Sequence, residues 1–345
     1  MRKVFRLIFI IFTLLIVSIF SFFFAYANEK QVFPLSTEPQ IGKIRNLIER
    51  APENGIYISV GGERAFRGAS MYSTIDHLII FDISPDIKQF NSINSFLLKA
   101  KNKESYKHLR WYSKFSEWKK VDAKLKEKDF DWWDKNIRNP HKYTDSEWFN
   151  KMDHLCNKNP QEKYQYIYDL MPEKTPINIK TIVESSDIID YKSGNYLFND
   201  KLYARLHKLA VNNKIKVIQM DLRNSKDQKL LIEVIQKINN KIAVLDLDNL
   251  YEELYMGEKK FKQALDSLIS YGLSDSSILI IMSVYQFPES LRGSLYVGFT
   301  FANVKLWDKE PFLNNFFKYC SGIVRFFIDG RLYEKNESLP LYLNY

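Results

Sequence analysis

Short apolar runs alternate with amphipathic segments along most of this chain. Gly55–Val60, His77–Asp82, Lys216–Asp221, Ile242–Asp246 and Ser277–Ser283 each span five to seven residues and are dominated by Ile, Val, Leu and Tyr. Ala65–Tyr72, Ile87–Ala100, Asp200–Val211, Gln228–Ile238 and Phe261–Tyr271 separate them, with apolar residues at helical spacing, such as Ile87, Phe90, Ile93 and Leu97. A continuous apolar run is a strand buried on both faces, and such strands need helices above and below. The expected fold class is therefore α/β: a Rossmann-like, doubly wound, mostly parallel sheet with helices on both faces. Ser294–Phe301 and Ile323–Tyr333 read as later strands with turns at Gly298, Gly322 and Asp329-Gly330, and these close the sheet with an antiparallel edge.

The amino terminus is of a different kind. Arg2, Lys3 and Arg6 precede 21 uncharged residues, 7–27, ending in Ala25-Tyr26-Ala27. A basic start, an apolar middle and an A-x-A end form an export signal, and the run is also long enough to span a membrane. The body is thus expected outside the cytoplasm, periplasmic or secreted, or anchored by residues 7–27. Residues 28–40 read as a linker and Ile41–Arg50 as a short amphipathic helix. Residues 41–345 form a single domain, interrupted by an insertion at about 101–180.

That insertion carries a charge anomaly. Residues 99–142 hold 14 Lys and Arg against seven Asp and Glu, in a chain whose net charge is +9. Tyr106, Trp111, Tyr112, Phe115, Trp118, Phe130, Trp132 and Trp133 are interleaved with them. Basic charge with aromatic rings suits an anionic membrane surface. It also suits stacking on nucleic-acid bases, which export disfavours. Alternatively the rings pack onto the sheet and the lysines are solvated.

Composition removes several classes. With 46% hydrophobic and 26% charged residues, the chain is not disordered, collagen-like or a multi-span membrane protein. Two cysteines, Cys156 and Cys320, build no disulfide framework. Neither they nor the five histidines fall at zinc-ligand spacing, so no metal is expected. No G-x-S-x-G or P-loop sequence occurs, so hydrolase and NTPase chemistry have no motif here.

In an open parallel sheet, ligands bind beyond the carboxyl ends of the strands, where strand order reverses. The residues there are Gly61, Gly62 and Glu63, Asp82, Asp221, and Asp246, Asp248 and Asn249. The glycines allow a tight turn and close approach of a ligand to backbone. They also suit a plain turn, and Asp82 and Asp221 suit helix caps. Asp246 and Asp248 are expected to face apart along the strand and not to form a dyad; together they also suit a cation with oxygen ligands.

The pieces Tyr57-Ile58-Ser59-Val60-Gly61-Gly62-Glu63, Phe81-Asp82-Ile83-Ser84, Gly194-Asn195-Tyr196-Leu197-Phe198, Met220-Asp221-Leu222 and Leu247-Asp248-Asn249-Leu250-Tyr251 resemble, in order and spacing, the class I S-adenosylmethionine-dependent methyltransferases. They are more similar still to an uncharacterised bacterial family with that fold. The resemblance covers roughly residues 53–100 and 190–285. It implies S-adenosylmethionine or a related nucleoside as cofactor, with Gly61, Gly62, Glu63, Asp82, Asp221 and Asp246 around it. Gly61 and Gly62 would face the methionine part, Asp82 the ribose and Asp221 the adenine. Asp246, Asp248 and Asn249 would line the substrate side, with Asp248 and Tyr251 as catalytic, acceptor-side groups. The first loop departs from the usual pattern: Ser59 stands at the place of an acid and Glu63 at the place of a glycine, where it would crowd the cofactor carboxylate.

Three functions follow. The first is an exported methyltransferase-like enzyme acting on an unknown acceptor. The second is a catalytically inactive Rossmann-like binding module. The third is an envelope-associated scaffold contacting anionic membrane or a protein partner.

Overall fold

The computed structural model describes residues 45–138, 193–248, 250, 256–269, 272–286, 292–300 and 341–342. Residues 1–27, Cys156, Asn249, Tyr251, Cys320 and the expected strand 323–333 lie outside them. No helix among the described residues is long and apolar enough to cross a membrane.

Seven strands form one sheet: β1 (Ile56–Val60), β2 (His77–Asp82), β3 (Ile215–Gln219), β4 (Ile242–Asp248), β5 (Leu273–Gln286), β6 (Arg292–Thr300) and β7 (Leu341–Tyr342). Their spatial order is β3-β2-β1-β4-β5-β6-β7. The first five run parallel, and β6 pairs antiparallel with both β5 and β7. The fold is thus the Rossmann-like α/β arrangement with the antiparallel edge expected from the sequence. Two details differ. Gly298 is no turn but lies within β6 opposite Ile280, because the strand runs unbroken from Arg292 to Thr300. β3 ends at Gln219, which leaves Met220 and Asp221 in the turn beyond it.

The helices sort by crossover. Helix α1 (Arg45–Ile48) precedes the sheet. Helix α2 (Glu63–Met71) follows β1 and α3 (Pro85–Leu97) follows β2. The insertion adds α4 (Lys103–Trp111), α5 (Phe115–Val121), α6 (Glu127–Trp133) and a π turn, Asp134–Arg138. Helix α7 (Asp200–Val211) leads into β3. All of these pack on one face, where Tyr57, Leu78, Ile80, Ile278 and Ile280 meet Phe66, Phe90, Leu97 and Leu206. Helix α8 (Ser225–Ile238) follows β3 and α9 (Glu258–Ile269) follows β4. They cover the other face, where Ile58, Ile79, Phe81 and Leu245 meet Leu231, Ile235, Phe261 and Leu268. The period of two along each strand divides the chain between two cores. Successive connections change face between β1 and β4, which is where a doubly wound sheet opens its crevice.

The two buried tryptophans of the insertion are structural. Trp118 and Trp133 are fully buried. Their indole N–H groups donate to the Leu109 and Arg110 carbonyls, each at 2.9 Å. Trp133 stacks on Phe90 at 5.3 Å and meets Trp118 edge-on at 5.8 Å. Arg138 donates to the carbonyls of Leu109, Arg110 and Ser113, closing the carboxyl end of α4.

Candidate functional site

The first loop is pinned from two sides. The Gly61 N–H donates to the Phe81 carbonyl at 3.1 Å, and its own carbonyl accepts from Asn91 Nδ2 at 2.8 Å. Gly61 has φ +95, a conformation that suits glycine. A Cβ added there would meet nothing within 4 Å, so the turn has open space beside it. Asn91, fully buried on α3, was not legible in the sequence: it lies thirty residues from the turn and carries no local signal.

Asp82 ends β2 beside this turn. One carboxylate oxygen accepts the Ser84 N–H at 2.8 Å. Ser84 is the N-cap of α3, so Asp82 does not cap that helix. Burial pushes the Asp82 carboxyl up to about 6, and the nearby Asp248 charge adds to the rise against the hydrogen bonds from Ser84 and Ile83. The next residue, Ile83, is 46% exposed and offers an apolar surface at the same rim. It too was missed, because an isolated isoleucine after a strand carries no signal of exposure.

Asp221 lies one strand further out. Arg223 grips both of its oxygens at 2.7–3.0 Å and holds its carboxyl below the usual carboxylate range. The N-cap of α8 is Asn224, so Asp221 caps no helix either.

Glu63 does not face the turn. It is 1% exposed, and its carboxylate meets Arg110 at 2.7 Å, Arg67 at 3.1 Å and the Tyr196 hydroxyl at 3.3 Å. Arg110 and Tyr106, both from the insertion, and Asn94 extend this buried network. The expectation that Glu63 crowds a ligand is therefore corrected: two arginines draw it inward.

Asp246 is corrected too. It is fully buried and accepts hydrogen bonds from the Tyr57 hydroxyl at 3.0 Å and from Arg64 at 2.9 Å. Burial raises its pKa, and Arg64 opposes that rise. It supports the site from below and presents no oxygen to a ligand. Asp248 has φ +53 at the end of β4, and Arg64 also grips its carboxylate. One guanidinium thus holds both acids, so they share a face. Side chains two apart on a strand return to the same side, and the expected opposition of Asp246 and Asp248 miscounted that alternation. Arg64 occupies the place between them that the cation reading reserved for a metal. Its signal was present: an acid inside an apolar strand requires a nearby cation.

The Tyr57–Asp246 bond explains a glycine in the middle of a helix. A Cβ at Gly68 would stand 2.1 Å from the Tyr57 hydroxyl oxygen and 3.6 Å from Asp246 Oδ2. On an exposed helix, glycine to alanine gains about 1 kcal/mol. Here Gly68→Ala is expected to lose on the order of 2–4 kcal/mol, read as a lower urea midpoint, because it displaces Tyr57 and strips a hydrogen bond from a buried carboxyl.

Gly61, Gly62, Asp82 and Asp248 therefore come together at the switch between β1 and β4, with Ile83 beside them. Asp246 and Glu63 lie beneath, and Asp221 stands apart.

Among solved structures, the chain is similar to the rRNA methyltransferase aviRa from Streptomyces viridochromogenes, with 10% identity, a TM-score of 0.30, and coverage of 73% of this chain and 74% of that one. No curated protein matches it. Residues 33–287 match the family described as "Domain of unknown function (DUF7790)", and the chain belongs to that family.

Proposed function

We propose that this protein binds an adenosine-type nucleoside, S-adenosylmethionine in the first instance, at the carboxyl edge between β1, β2 and β4, and transfers a methyl group to an acceptor approaching from the Asp248 side. The observation that carries the reading is Asp82. A partly exposed acid, raised to about 6 and standing beside an open glycine turn, is costly to keep and lies where a ligand would use it.

The residues suit the nucleoside. Asp82, which already accepts the backbone N–H groups of Ser84 and Ile83, would accept the ribose hydroxyls on its remaining lone pairs. Ile83 packs against the base. Gly61 admits the chain that links ribose to sulfur. Bound there, the sulfonium supplies an activated methyl group. The protein contributes placement, since methyl transfer depends mainly on in-line approach. Arg64 fixes the Asp248 carboxylate at the rim, where it orients the acceptor.

A second reading is a nucleoside-binding module without transfer. It is favoured by the same Arg64 grip, which draws Asp248 away from acting as a base. On either reading, residues 1–27 carry the domain out of the cytoplasm or hold it at the membrane.

Calorimetry with S-adenosylhomocysteine and S-adenosylmethionine tests the site. Saturable binding is expected, weakened by roughly a hundredfold in Asp82→Ala through loss of two charge-assisted hydrogen bonds. Absence of heat at millimolar ligand, or equal affinity in the variant, removes the reading. Incubation with radiolabelled S-adenosylmethionine and cell-envelope extract separates transfer from binding alone.

A further inference from the structure

The insertion buries Trp118 and Trp133 and exposes its lysines, with Tyr112, 63% exposed, at the surface beside them. Between residues 114 and 128, Lys114, Lys119, Lys120, Lys124, Lys126 and Lys128 are all exposed. The acids among them are largely engaged. Glu117 accepts the Lys114 N–H at 3.0 Å and meets the His108 ring at 3.0 Å. Asp122 accepts the Lys124 N–H at 2.9 Å and the Lys99 ammonium at 2.8 Å. Just beyond this stretch, Asp129 accepts the Lys126 N–H at 3.0 Å. Glu127 remains as an exposed acid. Carboxylates that belong to helix caps leave the lysines as the outward charge of this layer.

We infer that this lysine face docks on an anionic lipid bilayer, chiefly by charge and without insertion of tryptophan side chains. Two observations select a bilayer over another polyanion. Of the tryptophans that would stack on bases or sit among headgroups, Trp118 and Trp133 are fully buried and hydrogen-bonded to backbone, and Trp111 and Trp132 pack partly buried against the core. What remains is the diffuse attraction of clustered lysines to a charged plane. The chain also begins with a basic cluster and 21 uncharged residues, followed by residues 28–44 before α1. Where that segment stays in the membrane, a tether of this length extends at most roughly 60 Å. Tethering keeps the lysine face at high local concentration beside the lipid.

The test is amine footprinting of the full chain reconstituted in phosphatidylcholine vesicles with or without phosphatidylglycerol. In the anionic vesicles the six lysines are expected to acylate roughly threefold or more slowly. Lys226, Lys229 and Lys237, exposed on α8 across the sheet, serve as the reference and should not change. Protection should vanish in 1 M salt, where the screening length is about 3 Å. The triple variant K119E/K120E/K124E should expose Lys114, Lys126 and Lys128 again. Tryptophan emission should not shift. Equal labelling in both vesicle types, protection that survives high salt, a blue shift on binding, or protection by duplex DNA but not by anionic vesicles each overturns the inference. None of these readouts depends on nucleoside binding.

Discussion

Asp82→Asn is expected to make the protein more stable and less functional. The folded state holds the Asp82 carboxyl at about 6, against an ordinary value of 3.8, so folding favours its protonated form. Below about pH 3 both folded and unfolded chains are protonated there, and the residue costs nothing. Between about 4 and 6 the unfolded chain ionises first, and stability falls as pH rises. Above 6 the full penalty applies, on the order of 2–3 kcal/mol for a shift of this size. Asparagine mimics the protonated acid and keeps the acceptor for the Ser84 N–H. Urea unfolding of the two proteins should therefore coincide near pH 3 and diverge to that amount by pH 7.5, with the variant more stable. The same variant should lose nucleoside affinity, because a neutral amide accepts hydroxyl donors less strongly than a carboxylate. A variant that is less stable at pH 7.5 would show that the carboxylate serves the fold.

Arg64→Met is expected to have the opposite sign. Asp246 is fully buried, and Arg64 supplies one of its two side-chain hydrogen bonds and opposes its raised pKa. Removing one partner of a buried ion pair costs about 3–5 kcal/mol, because the other charge stays behind. The loss should be smaller at pH 5 than at pH 8, since Asp246 without its guanidinium escapes the penalty by taking up a proton. The double variant R64M/D246N removes the fully buried pair, leaves only the partly exposed Asp248 without its guanidinium, and should recover most of the stability. Urea midpoints of wild type, R64M, D246N and the double variant at two pH values complete the test. A double variant as unstable as R64M would mean that Arg64 acts through packing.

The parallel sheet was legible because its signal is local and repeated. β1, β2 and β4 are buried along nearly their whole length, so each stands out as an apolar run against amphipathic neighbours. Gly61 and Asp82 were legible for the same reason, since the end of a strand is a position that can be counted. Glu63 and Asp246 were misplaced because their surroundings come from far along the chain: Arg110 is 47 residues from Glu63, and Arg64 is 182 from Asp246. Residue spacing does not reveal which cation reaches which acid. For the insertion, composition left several readings open, and its packing matches the one with rings turned inward and lysines solvated. Its aromatic-basic pattern described composition, and only packing separates Trp118 and Trp133 in the core from the lysines outside.

The position of that insertion also bears on how the sheet is built. Phe81 pairs with Ile218, and Asp82 with Gln219, across more than 130 residues. The first two strands and their intervening helix can assemble from one short stretch of polypeptide, whereas β3 must await the synthesis of everything between. Contacts so distant along the chain form slowly. The outer rim of the crevice, where the Met220 N–H donates to the Asp82 carbonyl at 2.9 Å, therefore belongs to the late stage of folding. The β1–α2–β2 unit can thus set Gly61 and Asp82 side by side before either neighbour of the pair is in place, since β4 follows β3 in the chain.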